Sequence, residues 1–314
     1  TTSDGYYAQK LAAEWNLPLE EVSIGAQHFS EAHIRNAVAT TSDLIADGSV
    51  IPALLMAGRA AQKSTAVWSG MGADEIFLGY NGHYLLRLSQ MAGRFPFLKP
   101  ALTPVLQRIS AGRGPFKAYR RYLQKWGNNA GKPFEAARYS MVGDVDSAMQ
   151  ITRLSTDFES FLAPYFPKDC DVFESLFEFE LENFLNKNLS YLYVSGLGFG
   201  LEARVPFLDI EVVRFAASLP VAYKMDGFLT SKKVLKRAYS ADLPSYITRR
   251  RKAGFGMPLR SLLSHPQTLE TLLPADYYVG HSYFHPHAIR AIIDLHQSGK
   301  QDHSALIYAL ICFR

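Results

Sequence analysis

Before residue 80, apolar residues recur along this chain at helical spacing in some stretches and as short continuous runs in others. Tyr7, Leu11, Ala12 and Trp15 fall on one helical face behind Ser3 or Asp4, either of which serves as an N-cap. The run over 19–24 closes in Val22-Ser23-Ile24 and predicts a strand, and Ile34 and Val38 place a helix over 30–40. A loop over 43–52 delivers Pro52 to the start of a helix over 52–62, and Thr65-Ala66-Val67-Trp68 predicts a second strand that stops at Ser69-Gly70. Helix, strand, helix, loop, helix, strand is the order of an α/β protein whose parallel sheet carries helices on both faces.

After residue 80 the pattern is largely helical. Aromatic-rich, basic segments punctuated by proline predict short helices over 84–165. Phe173, Leu176, Phe177, Leu181, Phe184 and Leu185 form a broad apolar stripe in a helix over 171–193, a pattern that reads as core. Further helices are predicted over 210–218, from Thr230 to Tyr239, and over 304–313. No internal repeat or low-complexity segment interrupts this order.

The turn after the second strand carries the chemistry. Gly70, Met71 and Gly72 offer backbone amides to an anion, with Asp74 and Glu75 directly behind. Two carboxylates beside an anion need a cation between them, which points to a nucleotide with magnesium. The alternative is a tight strand-to-helix turn whose acidic residues favour the helix dipole, and the residues alone leave both open. Lys232 and Lys233, at a predicted helix start, are either solvated or aimed at phosphate. Glu202, Arg204 and Asp209 read as a structural set, with the arginine buried against one of the carboxylates.

Composition narrows the class. With 314 residues, 48% of them hydrophobic and 20% charged, the chain can bury a sizeable core. Its net charge of +4 is spread along the sequence apart from the run Arg249-Arg250-Arg251-Lys252, so nucleic acid is not implied as a partner. Cys170 and Cys312 give neither a disulfide framework nor a zinc site, which suits a reducing cytoplasm. Neither a membrane span nor a signal peptide is indicated. His281, His285 and His287 are spaced like solvated loop histidines, and Thr1 has no partners nearby that would make it an N-terminal nucleophile.

Three stretches then agree. Ser69-Gly70-Met71-Gly72-Ala73-Asp74-Glu75 with Gly79-Tyr80, Leu201-Glu202-Ala203-Arg204-Val205-Pro206-Phe207-Leu208-Asp209, and Lys252-Ala253-Gly254-Phe255-Gly256-Met257-Pro258 resemble, in order and spacing, the C-terminal synthetase domain of glutamine-hydrolysing asparagine synthetases. These belong to the ATP-pyrophosphatase (PP-loop) superfamily. The resemblance covers nearly the whole chain, taken as one domain over 1–314. It implies a Rossmann-like parallel sheet of the adenine-nucleotide α-hydrolase type.

It also implies a ligase with ATP and Mg2+ as cofactors. The enzyme adenylates the side-chain carboxylate of aspartate and then transfers ammonia, released from glutamine on an N-terminal glutaminase domain of the full-length chain. Asp74 inherits the magnesium pyrophosphate site with Glu75 beside it, and Lys232 the contact to the reacting phosphate. Ser69, Gly70, Met71 and Gly72 line the nucleotide site. The location implied is cytoplasmic, and a homodimer is allowed.

The family's phosphate loop, Ser-Gly-Gly-x-Asp-Ser, is not in this sequence and would lie upstream. The sheet is therefore expected to be incomplete at its N-terminus, with an unpaired inner edge on 65–68, and the chain to be inactive alone. Met71 stands where many relatives have glutamate, and Tyr193-Val194 where they have Asp-Arg or Asp-Lys. These changes leave room for a relative that adenylates another carboxylate, of the β-lactam synthetase or peptide-cyclase type. A non-catalytic, partner-binding relative is the third reading.

Overall fold

The computed structural model describes residues 4–41, 45–80, 82–84, 87, 145–153, 160, 163–166, 171–226, 230–250 and 255–314. The short helices expected over 84–165 lie mostly outside these residues, as do Thr1 and Cys170.

Three helices, α1 (Asp4–Glu14), α2 (Glu31–Thr41) and α3 (Val50–Ala60), precede strand β1 (Ala66–Trp68). Helix α3 begins two residues before Pro52, which is tolerated because the first helical N–H groups have no intrahelical acceptor. The strand expected over 19–24 does not form. Leu19 and Val22 are exposed, and no described neighbour offers that segment a ladder partner.

Strand β1 pairs in parallel with β2 (Glu202–Arg204), with Ala66 opposite Glu202, Val67 opposite Ala203 and Trp68 opposite Arg204. The ladder extends through bonds from the Glu202 amide to the Thr65 carbonyl and from the Ser69 amide to the Arg204 carbonyl, both 2.8 Å. Among the described residues the sheet has these two strands only, so the protein is a mostly helical α/β structure with a small parallel sheet, less sheet than its sequence pattern predicts. Among the described residues strand β1 is paired on one side, and Trp68 at its end is 74% exposed.

After β1 come the single-turn α4 (Ala73–Ile76) and α5 (Val145–Ile151), then one long helical run. Asp171 caps that run by accepting a 2.8 Å bond from the Phe173 amide. It comprises α6 (Val172–Phe179), a π segment (Glu180–Leu185) and α7 (Asn186–Leu197). Past β2, α8 (Ile210–Ser218) is capped by Asp209, and α9 (Val221–Lys224) and α10 (Lys233–Ala238) follow.

The main core gathers around Ile51 of α3 and the C-terminal helices, with Leu263, Ile289, Ile307 and Tyr308 almost fully buried. Each such side chain contributes about 1.5–3 kcal/mol, which explains the apolar sequence of the last helix, Ser304–Phe313. A second cluster of Ile76, Phe77 and Ala216 backs the turn after β1. Among the described residues no helix is long and apolar enough to cross a membrane.

The core also holds a titratable group. His296 is buried, its Nδ1 accepting a bond from the His303 amide at 3.3 Å. Burial pushes its pKa below the ordinary 6.5; Asp302 opposes this, while His303 adds to it and Arg260 acts both ways, its charge lowering and its backbone bond raising the value. With a depressed native pKa, the unfolded chain binds more protons below about 6.5, so stability is lost as pH falls toward the native value. The unfolding midpoint is expected to drop on acidification below neutrality. His296→Asn, which retains an acceptor near the Nδ1 position, should flatten that slope in melts recorded as a function of pH.

Candidate active site

The turn leaving β1 is built on a positive-φ glycine. Gly72 sits at φ +93, and a Cβ there would lie 2.4 Å from a Leu208 methyl, so glycine lets the 206–208 segment pack directly on the turn. Phe207, Leu208, Val234 and Leu235 join the cluster of Ile76 and Phe77. That packing carries the chain after β2, and with it the start of α10, to the carboxyl end of β1.

Lys232 is delivered there. It is the N-cap of α10 with φ +52, left-handed backbone that a lysine rarely adopts. Its Nζ lies 2.8 Å from Asp74 Oδ1, each side chain about one quarter exposed. Lys233 points elsewhere, to Asp226 at 3.3 Å, so of the two lysines it is Lys232 that meets Asp74. Leu78, at φ +55, is another non-glycine residue in left-handed backbone, and its side chain is buried against Phe173, Leu176 and Met225. Gly79 closes beneath: its amide donates to the Asp74 carbonyl at 2.7 Å, and a Cβ there would lie 1.9 Å from Asp74 Oδ1 and 2.4 Å from Lys232 Cε.

Glu75 stands apart from this pair. It is 2% exposed, and its Oε1 accepts from the Tyr80 hydroxyl at 2.6 Å and from Asn188 Nδ2 at 3.2 Å. Burial and the neighbouring Glu75 carboxylate push the Tyr80 hydroxyl far above its ordinary range, so it stays protonated and donates. Glu75, expected beside Asp74 at the metal, thus bonds to Tyr80 and Asn188 and not to Lys232.

The amides of the turn are also less free than the sequence suggests. Met71 donates to Ser69 Oγ at 3.3 Å, while the space beside Gly70 is open. Glu202 and Arg204 do pair, at 2.9 Å, but both are more than half exposed, so the buried arginine expected here is corrected to a surface ion pair.

Two cavities meet at Asp74. One, of about 760 Å³, opens past Lys232 and carries Lys236 and Arg250. Lys236 is a cation the motifs did not single out, its pKa lowered by burial and then by Lys232. Its signal lay in sequence all along, one helical turn after Lys232. The other cavity, of about 560 Å³, runs along the 69–72 turn between Ala53 and Ala57 of α3 and Leu192 and Ser195 of α7. Phe255 lines both and is 52% exposed. Its carbonyl accepts from Ser49 Oγ at 2.6 Å, and the Met257 amide donates to the Gly48 carbonyl at 2.9 Å, docking the third motif onto the loop before α3. Lys187 braces that loop through Asp47 at 2.6 Å. Burial of Asp47 raises its pKa, but the ammonium and the bonds from Ser49 outweigh this and leave the carboxyl below its usual range.

Among the described residues no group of three or more His, Cys, Asp or Glu side chains is placed to hold a metal, and the histidines at 281, 285 and 287 form no such cluster. The residues present do suit magnesium bound chiefly by a substrate. Asp74 supplies one partly exposed carboxylate, and magnesium commonly takes one or two carboxylates with phosphate oxygens and water.

A small parallel sheet with a carboxylate and a lysine facing each other beyond its carboxyl end defines an α/β protein with a site suited to a polyanion. The sequence profile of the family described as Asparagine synthase matches residues 1–313, and the chain belongs to that family. It is 26% identical, over 93% of its length, to a protein of Mycobacterium tuberculosis (strain ATCC 25618 / H37Rv) named putative asparagine synthetase [glutamine-hydrolyzing], of which it covers 46%. It is 24% identical, over 86% of its length, to asparagine synthetase [glutamine-hydrolyzing] 1 of Bacillus subtilis (strain 168), of which it covers 43%. The chain thus spans about half the length of the curated relatives it matches. No solved structure matches it.

Proposed function

We propose that this chain is the synthetase domain of an ATP-dependent amide-forming ligase, with aspartate as acceptor and ammonia as the nitrogen source. The observation that carries the reading is the 2.8 Å approach of Lys232 to Asp74 in a cleft also lined by Lys236, Arg250 and Asp242. In the reaction a carboxylate oxygen attacks the α-phosphorus of ATP and the bond to the β-phosphate breaks, so pyrophosphate leaves. Ammonia then attacks the acyl carbon, the bond to AMP breaks, and the nitrogen loses a proton.

Lys232 stabilises the charge gathering on the departing pyrophosphate, and Lys236 and Arg250 extend the positive path outward. Asp74 holds magnesium, which neutralises phosphate charge when bound. Ser69, Gly70, Met71 and Gly72 line the nucleotide side, and Glu75 keeps the turn in place from behind. The domain spans 1–314. In the full-length protein a further strand, carrying the phosphate loop, occupies the open edge of β1. A glutaminase domain supplies ammonia, as the names and lengths of the relatives support.

One observation favours a second acceptor. The cavity beside Met71 is lined mainly by apolar side chains, and no described cation in it meets the second carboxylate of aspartate. A related ligase adenylating a less polar carboxylate answers that lining. The test is exchange of radiolabelled pyrophosphate into ATP by the full-length protein with magnesium. Aspartate-dependent exchange supports the first reading, exchange with another carboxylate the second, and no exchange with any carboxylate overturns both.

A further inference from the structure

A buried histidine and carboxylate lie behind the site, and the chemistry above does not use them. His83 is 1% exposed and Glu180 nearly as buried. The imidazole Nδ1 accepts from the Tyr80 amide at 3.2 Å, which leaves the ring hydrogen on Nε2, and Nε2 lies 2.8 and 3.0 Å from the two Glu180 oxygens. Glu180 opens the π segment of the helical run that also sends Asn188 to Glu75.

Burying a carboxylate and widening a helix by a π turn are both unfavourable locally, and π segments recur at functional sites. Here they have a common consequence. Tyr80 is held at both ends, its amide on His83 and its hydroxyl on Glu75. It fixes the end of the turn whose Gly79 lies against Asp74 and Lys232.

We propose that His83, clamped by Glu180, is a positioning residue for the Asp74 and Lys232 pair, acting through the Tyr80 amide and the Gly79 turn. The inference rests on the reading of that pair as the group that handles pyrophosphate. If His83 is lost, the turn loosens and the two side chains no longer meet at a fixed distance, while neither cavity loses a lining group.

The experiment uses full-length protein carrying His83→Ala, His83→Asn and Glu180→Gln, each checked by thermal unfolding. The asparagine keeps an acceptor toward Tyr80, and the glutamine keeps an acceptor for Nε2–H should the alanine variant fail to fold. Amide hydrogen exchange at Gly79 is expected to speed up by about tenfold in His83→Ala, as suits the loss of roughly one hydrogen bond, and less in the other two. Exchange at Ser69, bonded to the Arg204 carbonyl, should stay unchanged.

In pyrophosphate exchange, His83→Ala should lower kcat by about a hundredfold, the effect of misplacing reacting groups by roughly 1 Å, with KM for ATP little changed, and His83→Asn should recover most of it. Unaltered protection of Gly79 in a folded His83→Ala or Glu180→Gln variant overturns the inference. If the wild type shows no pyrophosphate exchange with any carboxylate, the functional reading fails instead, and the hydrogen-exchange measurement still decides whether His83 holds the turn.

Discussion

Pyrophosphate exchange by the full-length protein is expected to fall by about a hundredfold or more in both Lys232→Ala and Asp74→Asn, with the unfolding midpoint close to wild type. The two effects separate because of where the pair sits. Each side chain is about a quarter exposed, and an ion pair at that depth adds about 0–1 kcal/mol to stability. Lys232 is asked to act on negative charge that develops only as the phosphate bond breaks, where a fixed opposite charge counts fully, and Asp74 acts there through the magnesium it would hold. Asp74→Asn keeps the shape of the carboxylate and removes its charge. Lys232→Ala keeps the Cβ, so the left-handed backbone at the start of α10 is no easier to hold than before. Arg214→Ala, which breaks an exposed pair with Glu211, serves as the control and should change neither quantity. Wild-type exchange in both site variants would remove Asp74 and Lys232 from the chemistry.

Much of this site was legible in the sequence because its parts are local. The Ser-Gly-x-Gly-x-Asp-Glu turn follows a β-branched run, and Lys232 begins a helical pattern; both signals lie within a few residues of the group that matters. The C-terminal apolar helix and the helix over 210–218 were readable for the same reason, since periodicity and caps are short-range.

What sequence did not reveal depends on contacts between distant segments. That Glu75 turns inward follows from Asn188 and Tyr80 waiting for it, and nothing in its own neighbourhood says so. Its identity beside Asp74 suggested a shared environment, whereas Glu75 is buried on Tyr80 and Asn188 while Asp74 is partly exposed beside Lys232. The strand expected over 19–24 had the right residues but no described partner, and a strand exists only as half of a ladder. His83 and Glu180 are unremarkable letters in sequence, 97 positions apart, and only the fold brings the carboxylate to the ring nitrogen.

Gly79→Ala tests the geometry of the pair without touching its chemistry. The added methyl would have to occupy space 1.9 Å from Asp74 Oδ1 and 2.4 Å from Lys232 Cε. Both obstacles belong to the outer parts of flexible side chains, so the fold accommodates the methyl by pushing them aside. Gly79 is not among the glycines at positive φ, so alanine meets no backbone penalty, and the stiffer unfolded chain returns about 0.4–1 kcal/mol. Stability should therefore stay within about 1 kcal/mol of wild type in denaturant unfolding. Activity should not. With the carboxylate and the ammonium displaced by 1 Å or so, exchange is expected to drop by about a hundredfold, comparable to removing either charge outright. Adding Gly79→Ala to Lys232→Ala should then cost little more, because the first change has already undone what the second removes. A Gly79→Ala protein that exchanges pyrophosphate at the wild-type rate would mean that the 2.8 Å contact is incidental, and that the two residues act, if at all, from other positions.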